Sequence, residues 1–296
     1  MKRFLPLFLL FFINNHLFAQ ETYKQQMYPM QMFGPIEISH VPGKVIIHDK
    51  IKRENIYRYT FNKKGKDSTL EESRVYTYDE RGNIQSMLLK PTSRLASGLL
   101  FTYTFNEKGF LQNENVKQTG ILSRQPDKYK IEHTATYEYD SSNRLINRYY
   151  YNKDTTQLIV LKFEYNDLSQ IFKISKKADK GDFTVNFNIS YDNTGKFNLF
   201  NRMGENGKDI DFSYQYDYGD GGRSESMSLI NLKGRHLREE KFYNINHQFS
   251  KIINKGDDPG DETLSKFTYN DDGTLSTETR YTNGKATDFF CHFYQK

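Results

Sequence analysis

A single cysteine, Cys291, stands close to the C-terminus of this 296-residue chain, and it excludes both a disulfide framework and a lipid-bearing cysteine near the N-terminus. Tryptophan is absent, which weakens any aromatic platform for stacking sugar rings. No Gly-x-Ser-x-Gly elbow, Gly-x-x-x-x-Gly-Lys loop or His-Glu-x-x-His motif occurs, so the strong signatures of serine hydrolases, P-loop nucleotide hydrolases and zinc proteases are missing. Beyond the N-terminus no apolar run approaches the roughly 20 residues of a membrane-spanning helix. No Pro/Ser-rich or Gly-rich linker divides the remainder into independent halves.

The N-terminus has the layout of an export signal. Lys2 and Arg3 are followed by an apolar run from Phe4 to Ile13, with Leu17-Phe18-Ala19 before a plausible cut. Asn14, Asn15 and His16 interrupt the run, which argues against a retained anchor. The expected organisation is a signal over 1–19, an N-terminal cap with short strands over 20–56, and a repeat domain over 57–296. The expected location is outside the cell, or exported to the periplasm or surface of a bacterium. Without Lys2 and Arg3, the 42 basic and 37 acidic residues become 40 and 37, a net of +3 spread along the chain. That balance argues against nucleic acid as a partner.

What the chain has in quantity is aromatic rings, 22 tyrosines and 23 phenylalanines, a composition that favours strands. They are organised. An aromatic, any residue, an aromatic, Asp or Asn, a short turn often ending in Gly, and an apolar residue recur in about nine copies. Tyr76-Thr77-Tyr78-Asp79 with Gly82 and Ile84, Tyr103-Thr104-Phe105-Asn106 with Gly109 and Leu111, and Phe267-Thr268-Tyr269-Asn270 with Gly273 and Leu275 are the clearest. Weaker copies start at Tyr59, Tyr137, Phe163 and Ile189. Tyr214-Gln215-Tyr216-Asp217 and Lys241-Phe242-Tyr243-Asn244 are degraded. From Tyr139 the second aromatic falls at 165, 191, 216, 243 and 269, in steps of 26, 26, 25, 27 and 26 residues.

Such a step holds two short strands and two turns, so the unit is a hairpin. Residues two apart share a face of a strand, and the residue between the aromatics is Thr, Ser, Glu or Gln. One face is therefore aromatic and the other polar. The Asp or Asn bonds its own backbone two residues on, and the Gly supplies a positive φ. A 34-residue step from Phe105 to Tyr139 places a longer loop around Gly120 to Lys128. The segment Tyr23 to Asn55, with strand-like Ile36 to Val41 and Lys44 to His48, reads as a terminal cap.

The motif resembles the YD repeat of RHS-type bacterial proteins, in which a Tyr-x-Tyr-Asp-x-x-Gly-x-Leu core recurs in tandem. The match runs from about Tyr57 to Leu275, and the copies around Asn166, Asp217 and Asn244 lack the Gly at its expected place. The resemblance implies a long antiparallel sheet coiled into a spiral or shell, in secreted or surface proteins that bind carbohydrate or enclose a toxic C-terminal domain. Only about 20 residues follow the last good copy, so the expectation is a small relative without a toxin domain.

Candidate chemistry is sparse. His40, His48, His133, His236, His247 and His292 are scattered without the spacing of a zinc site. Two acidic stretches, Asp217 to Asp220 and Asp257 to Glu262, could gather calcium ligands but lack the alternating pattern of a calcium loop, and their composition suits turns. Glu138 and Glu164, at equivalent positions, could pair as glycosidase carboxylates, although equivalent repeat positions do equivalent structural work. Tyr76, Tyr78, Tyr137, Tyr139, Tyr165, Tyr191, Tyr214, Tyr216, Tyr243 and Tyr269 could stack on sugars, but an aromatic face with no helix to cover it must mostly pack on itself.

The sequence thus points to an all-β chain of tandem antiparallel hairpins, roughly 18 to 20 strands forming a long coiled sheet, an open spiral or a barrel-like wall. The expected function is an exported, non-catalytic binding or structural surface module, with a glycan or cell-surface protein as candidate partner and neither cofactor nor metal. The rivals are a secreted glycan hydrolase and an outer-membrane β-barrel. The barrel requires an apolar lipid-facing band and gains if the aromatic face points outward.

Overall fold

The computed structural model describes residues 50–296 apart from 63–66, 93–97, 120–129, 153–156, 179–180, 220–222, 247, 257 and 259. The export signal, the two strand-like segments of the cap and the loop expected over 120–128 lie outside the described residues. Eighteen strands and no helix occupy the described part. They are β1 (Arg53–Phe61), β2 (Ser68–Tyr78), β3 (Ile84–Pro91), β4 (Gly98–Phe105), β5 (Leu111–Thr119), β6 (Lys130–Tyr139), β7 (Leu145–Asn152), β8 (Gln157–Tyr165) and β9 (Ile171–Ala178). They continue as β10 (Thr184–Tyr191), β11 (Phe197–Met203), β12 (Ile210–Gly219), β13 (Ser224–Asn231), β14 (Gly234–Tyr243), β15 (Phe249–Lys255), β16 (Glu262–Tyr269), β17 (Leu275–Thr282) and β18 (Lys285–Gln295).

All belong to one antiparallel sheet. The registered ladders join strands consecutive in the chain, with one exception: β1 pairs β2 on one side and β18 on the other. An open spiral would leave the first and last strands as free edges, a hazard for pairing between molecules. Here they pair over Arg53↔Gln295 to Thr60↔Asp288. Backbone contacts divide the chain into two compact units. One takes in 135–151 and 156–247, the other the described part of 37–134 together with 248–296.

Four hairpin turns of the repeat are built alike. The Asp79 Oδ1 accepts from the backbone N–H of Arg81 at 2.9 Å and of Asn83 at 2.7 Å. Asp140 does the same for Ser142 and Arg144, Asn166 for Leu168 and Gln170, and Asp192 for Thr194 and Lys196. The chain reverses through a residue of positive φ. That residue is Gly82, Gly109, Gly195 or Gly273 where the motif is complete, and Asn143 (φ 61°) or Ser169 (φ 60°) where glycine is missing. A side chain in this region crowds its own carbonyl.

The turn is followed by a one-residue β-bulge. Register shifts fall between Thr77/Tyr78, Thr104/Phe105, Glu164/Tyr165, Ser190/Tyr191 and Thr268/Tyr269, in each case just before the second aromatic. A bulge sets two residues against one and flips the facing of everything beyond it. The return strand therefore buries its first and fourth residues: Leu111 and Glu114, Leu145 and Arg148, Ile171 and Ile174, Leu275 and Glu278 are all under 9 % exposed. Return strands therefore carry charges interleaved with apolar residues without breaking the buried face.

Successive repeats are stitched by the second tyrosine. The hydroxyls of Tyr165, Tyr191, Tyr218 and Tyr294 donate at 2.7–2.9 Å to the carbonyls of Leu145, Ile171, Phe197 and Leu275, in each case the first residue of the preceding return strand. Two readings of the repeat are corrected by these bonds. The degraded copy assigned to Tyr214-Gln215-Tyr216-Asp217 is Tyr216-Asp217-Tyr218, because β12 runs on to Gly219 and Tyr218 makes the stitch. A further copy, missed in sequence, is His292-Phe293-Tyr294, where histidine replaces the first aromatic.

The buried face holds Tyr76, Tyr78, Met87, Phe101 and Tyr103 in one unit and Phe187, Phe200, Tyr214, Tyr216 and Met227 in the other, all under 9 % exposed. Phe187 and Phe200 lie 4.5 Å apart between ring centres, and Phe197 meets Tyr216 edge-on at 4.7 Å. Each such side chain contributes roughly 1.5–3 kcal/mol by burial. Tyrosines in this face are core before they are anything else.

Because Ser169 occupies a conformation that glycine adopts freely, Ser169→Gly is expected to raise stability by about 0.5–1 kcal/mol. Thermal denaturation of the two proteins checks this, and a lowered melting temperature would contradict the strain assigned to the Ser169 turn.

Candidate functional site

The sequence-level candidates do not converge. Glu138 accepts from Tyr149 at 2.6 Å and from Asn147 at 2.9 Å, and these bonds hold its carboxyl below the usual glutamate range. Glu164 pairs with Lys173 and, at 3.5 Å, with Lys162. Each carboxylate is thus engaged on its own polar strand face. Asp217 is no loop ligand: it sits mid-strand in β12 and pairs with Arg235. In the second acidic stretch, Asp261 donates its backbone N–H to the Asp258 carbonyl at 3.0 Å within a turn. Among the described residues, no three metal-ligating side chains cluster. His236 is exposed, whereas His292 is buried; the side chains of His40, His48, His133 and His247 lie outside the described residues.

What the sequence did not foretell is a set of ionisable side chains on the aromatic, buried face. Glu54, Glu114, Arg148, Glu225, Glu239, Lys241, Glu278 and His292 are each at most 8 % exposed. Isolated burial of a charge is costly, so partners are required. Arg148 lies over the rings of Tyr137 and Tyr150, at 5.5 and 5.8 Å to their centres. Glu278 accepts from Ser265 at 3.0 Å and from Arg280 at 2.5 Å, and the Arg280 guanidinium stacks 4.5 Å above the Phe290 ring.

Two clusters are denser. At the junction of the first and last strands, the fully buried Glu54 of β1 accepts the Tyr78 hydroxyl at 2.6 Å and meets His292 Nδ1 of β18 at 2.8 Å. Tyr294 also lies against this carboxylate. One side chain thereby ties β1, β2 and β18. In the other unit, Glu225 of β13 stands directly opposite Lys241 of β14, whose ammonium is 2.9 Å from Glu239.

A signal for both clusters was available. Lys241 and His292 occupy the position of the first aromatic in their copies of the repeat, so a polar, ionisable side chain interrupting a regular ring position marks a buried carboxylate partner. Glu114, Arg148 and Glu278 could be placed only once the bulge was known.

No protein-family model matches the chain, and no curated protein matches it. Among solved structures it is similar to a porin-like protein from Bacteroides uniformis ATCC 8492, at 11 % identity over 83 % of this chain and 96 % of that one, with a TM-score of 0.46. A second porin-like protein, from Bacteroides vulgatus ATCC 8482, matches at 10 % identity over 81 % of this chain and 97 % of that one, TM-score 0.26. The TcdB2-TccC3-TEV structure matches at 8 % identity over 79 % of this chain but only 15 % of its own length, TM-score 0.33. At these scores the likenesses leave function open, and the YD-repeat resemblance rests on the residues above.

Removing the carboxylate shared by three strands should be expensive. Glu54→Ala is expected to cost about 3 kcal/mol, read from urea denaturation. A loss below about 1 kcal/mol would contradict its role as the tie between β1, β2 and β18.

Proposed function

We propose that this chain is an exported β-sheet protein of the bacterial envelope that acts as a water-facing structural wall, without a catalytic centre. Three readings came from the sequence, and they fare differently. Strand order favours the outer-membrane barrel over a glycan-binding module or a hydrolase: 18 antiparallel strands of 7–11 residues, with the last paired to the first, follow the pattern such barrels use. No described cluster of side chains supports sugar binding or hydrolysis.

The observation that carries our reading is which face is polar. Outer-membrane strands put apolar residues outward and polar ones inward. In this chain most repeat aromatics are buried, and the opposite face carries hydroxyls, amides and lysines beside a shorter apolar row, Val75, Leu88 and Leu100, in register two residues from Thr77, Ser86 and Thr102. Thr77, Ser86, Thr102 and Asn115 lie in register across four strands, with Thr77 and Ser86 2.7 Å apart. Asn188, Asn201 and Ser213 do the same across three more. Lys162 and Lys173 stand on this face, and Lys251 faces Lys266 directly across the β15–β16 pair. Like charges in that position are tolerated when water screens them, whereas a lysine at the bilayer midplane costs roughly 2–4 kcal/mol.

The outer-membrane barrel remains the second reading, favoured specifically by the β1–β18 pairing and the strictly sequential strand order. Expression of the full chain in a Gram-negative host separates the two. Our reading expects recovery in the aqueous periplasmic or extracellular fraction, folded and without detergent. Sedimentation with the outer membrane, resistance to alkaline carbonate and a requirement for detergent would overturn it in favour of the barrel.

A further inference from the structure

The β13–β14 hairpin buries two carboxylates against one ammonium. Glu225, Glu239 and Lys241 are 8, 3 and 2 % exposed. Glu225 and Lys241 are direct cross-strand partners, Glu239 lies two residues from Lys241 on the same face, and the Lys241 Nζ to Glu239 Oε1 distance is 2.9 Å. The other groups facing this trio are the hydroxyls of Tyr216 and Tyr218 from β12 and of Tyr243 from β14, with Lys196 reaching Glu225 from the β10–β11 turn. Lys196 also lies 4.8 Å above the Tyr218 ring, and Asp192 faces the Tyr218 hydroxyl.

We propose that Glu225, Glu239 and Lys241 form a proton-operated latch that holds the β13–β14 hairpin closed in mild acid and loosens it above neutrality. With one carboxyl protonated, the trio is neutral, one ion pair and one neutral acid. With both ionised, an unmatched negative charge sits in a site closed to water, offset only in part, among the described residues, by the Tyr243 hydroxyl and the more distant Lys196 that face Glu225. The tyrosines cannot supply a counter-charge, because ionised they would add to the excess.

The titration runs in the required direction. Burial pushes the Glu239 carboxyl up to about 7, with Lys241 opposing the shift and Glu225 adding to it. Burial likewise raises Glu225. For a group whose folded pKa exceeds its unfolded value of 4.5, the stabilisation is complete below about pH 4.5 and is lost as pH rises through about 7. Position in the repeat is a second, independent mark. In most other copies the Lys241 position is filled by a ring, such as Tyr76, Tyr103, Tyr137, Phe163 or Phe267, with Ile189 and His292 the exceptions, so the lysine replaces a ring in a face made mostly of rings.

The test is hydrogen exchange on the full chain at pH 5 and pH 8, with protection factors corrected for intrinsic rate. Protection of the β13 and β14 amides should fall about tenfold or more between the two, since each unit of pKa shift is tenfold in the coupled equilibrium. Protection of β8 and β9, in the same unit, should change less. In E239Q, or in E225Q if E239Q does not fold, the pH step in β13–β14 should disappear while the hairpin stays protected. Unchanged β13–β14 protection in the wild-type chain, a fall of equal size in β8–β9, or persistence of the step in a folded glutamine variant would overturn the latch. If neither variant folds, the wild-type profile decides.

Discussion

The one-residue bulge that accompanies the repeat's turns, present in five of the hairpins, is the constraint on which the rest of this sheet depends. It reverses the facing of the return strand relative to simple alternation, and so decides which residues are buried. With it in place, Met87, Ile174 and Phe200 join the aromatic face, and the hydroxyl and lysine residues fall on the other. The stitching bonds from four tyrosine hydroxyls then lock their hairpins to the preceding return strands. Turn, bulge and stitch form one device repeated along the chain.

Much of this was legible from residues alone. The Tyr-x-Tyr-Asp spacing gave the hairpin, the strand number and the division into aromatic and polar faces, because period-two patterning on one strand is a direct record of burial. What was not legible has a common cause. A bulge adds a residue without altering composition, so strict alternation from Leu145 and Leu275 places Arg148 and Glu278 on the wrong face. Tyr218 was passed over for Tyr216 because three aromatics in alternation offer two registers, and only the hydroxyl bond to Phe197 selects between them. The pairing of β1 with β18 joins residues more than 200 positions apart, which no local pattern records.

The candidate site was less accessible still. Scanning for catalytic carboxylates led to Glu138 and Glu164, and scanning for calcium ligands to Asp217; all three are satisfied on the polar face. The buried polar side chains that distinguish this chain lie where rings are expected, at Lys241 and His292. Departures from a repeat are better guides in such proteins than conventional motifs, since a repeat position that abandons its usual side chain must be compensated by a neighbour: Glu225 and Glu239 for the lysine, Glu54 for the histidine.

The facing of the return strand can be tested at two adjacent residues. With Cys291 replaced by serine, cysteines are introduced singly by Ser86→Cys and Met87→Cys and challenged with a membrane-impermeant maleimide under native conditions. Strict alternation from Ile84 would bury residue 86 and expose residue 87; the bulge predicts the reverse, rapid labelling at 86 and protection at 87 until the protein is unfolded. Labelling at 87 with protection at 86 would contradict the bulge, and with it the assignment of the aromatic and polar faces on which the functional reading rests.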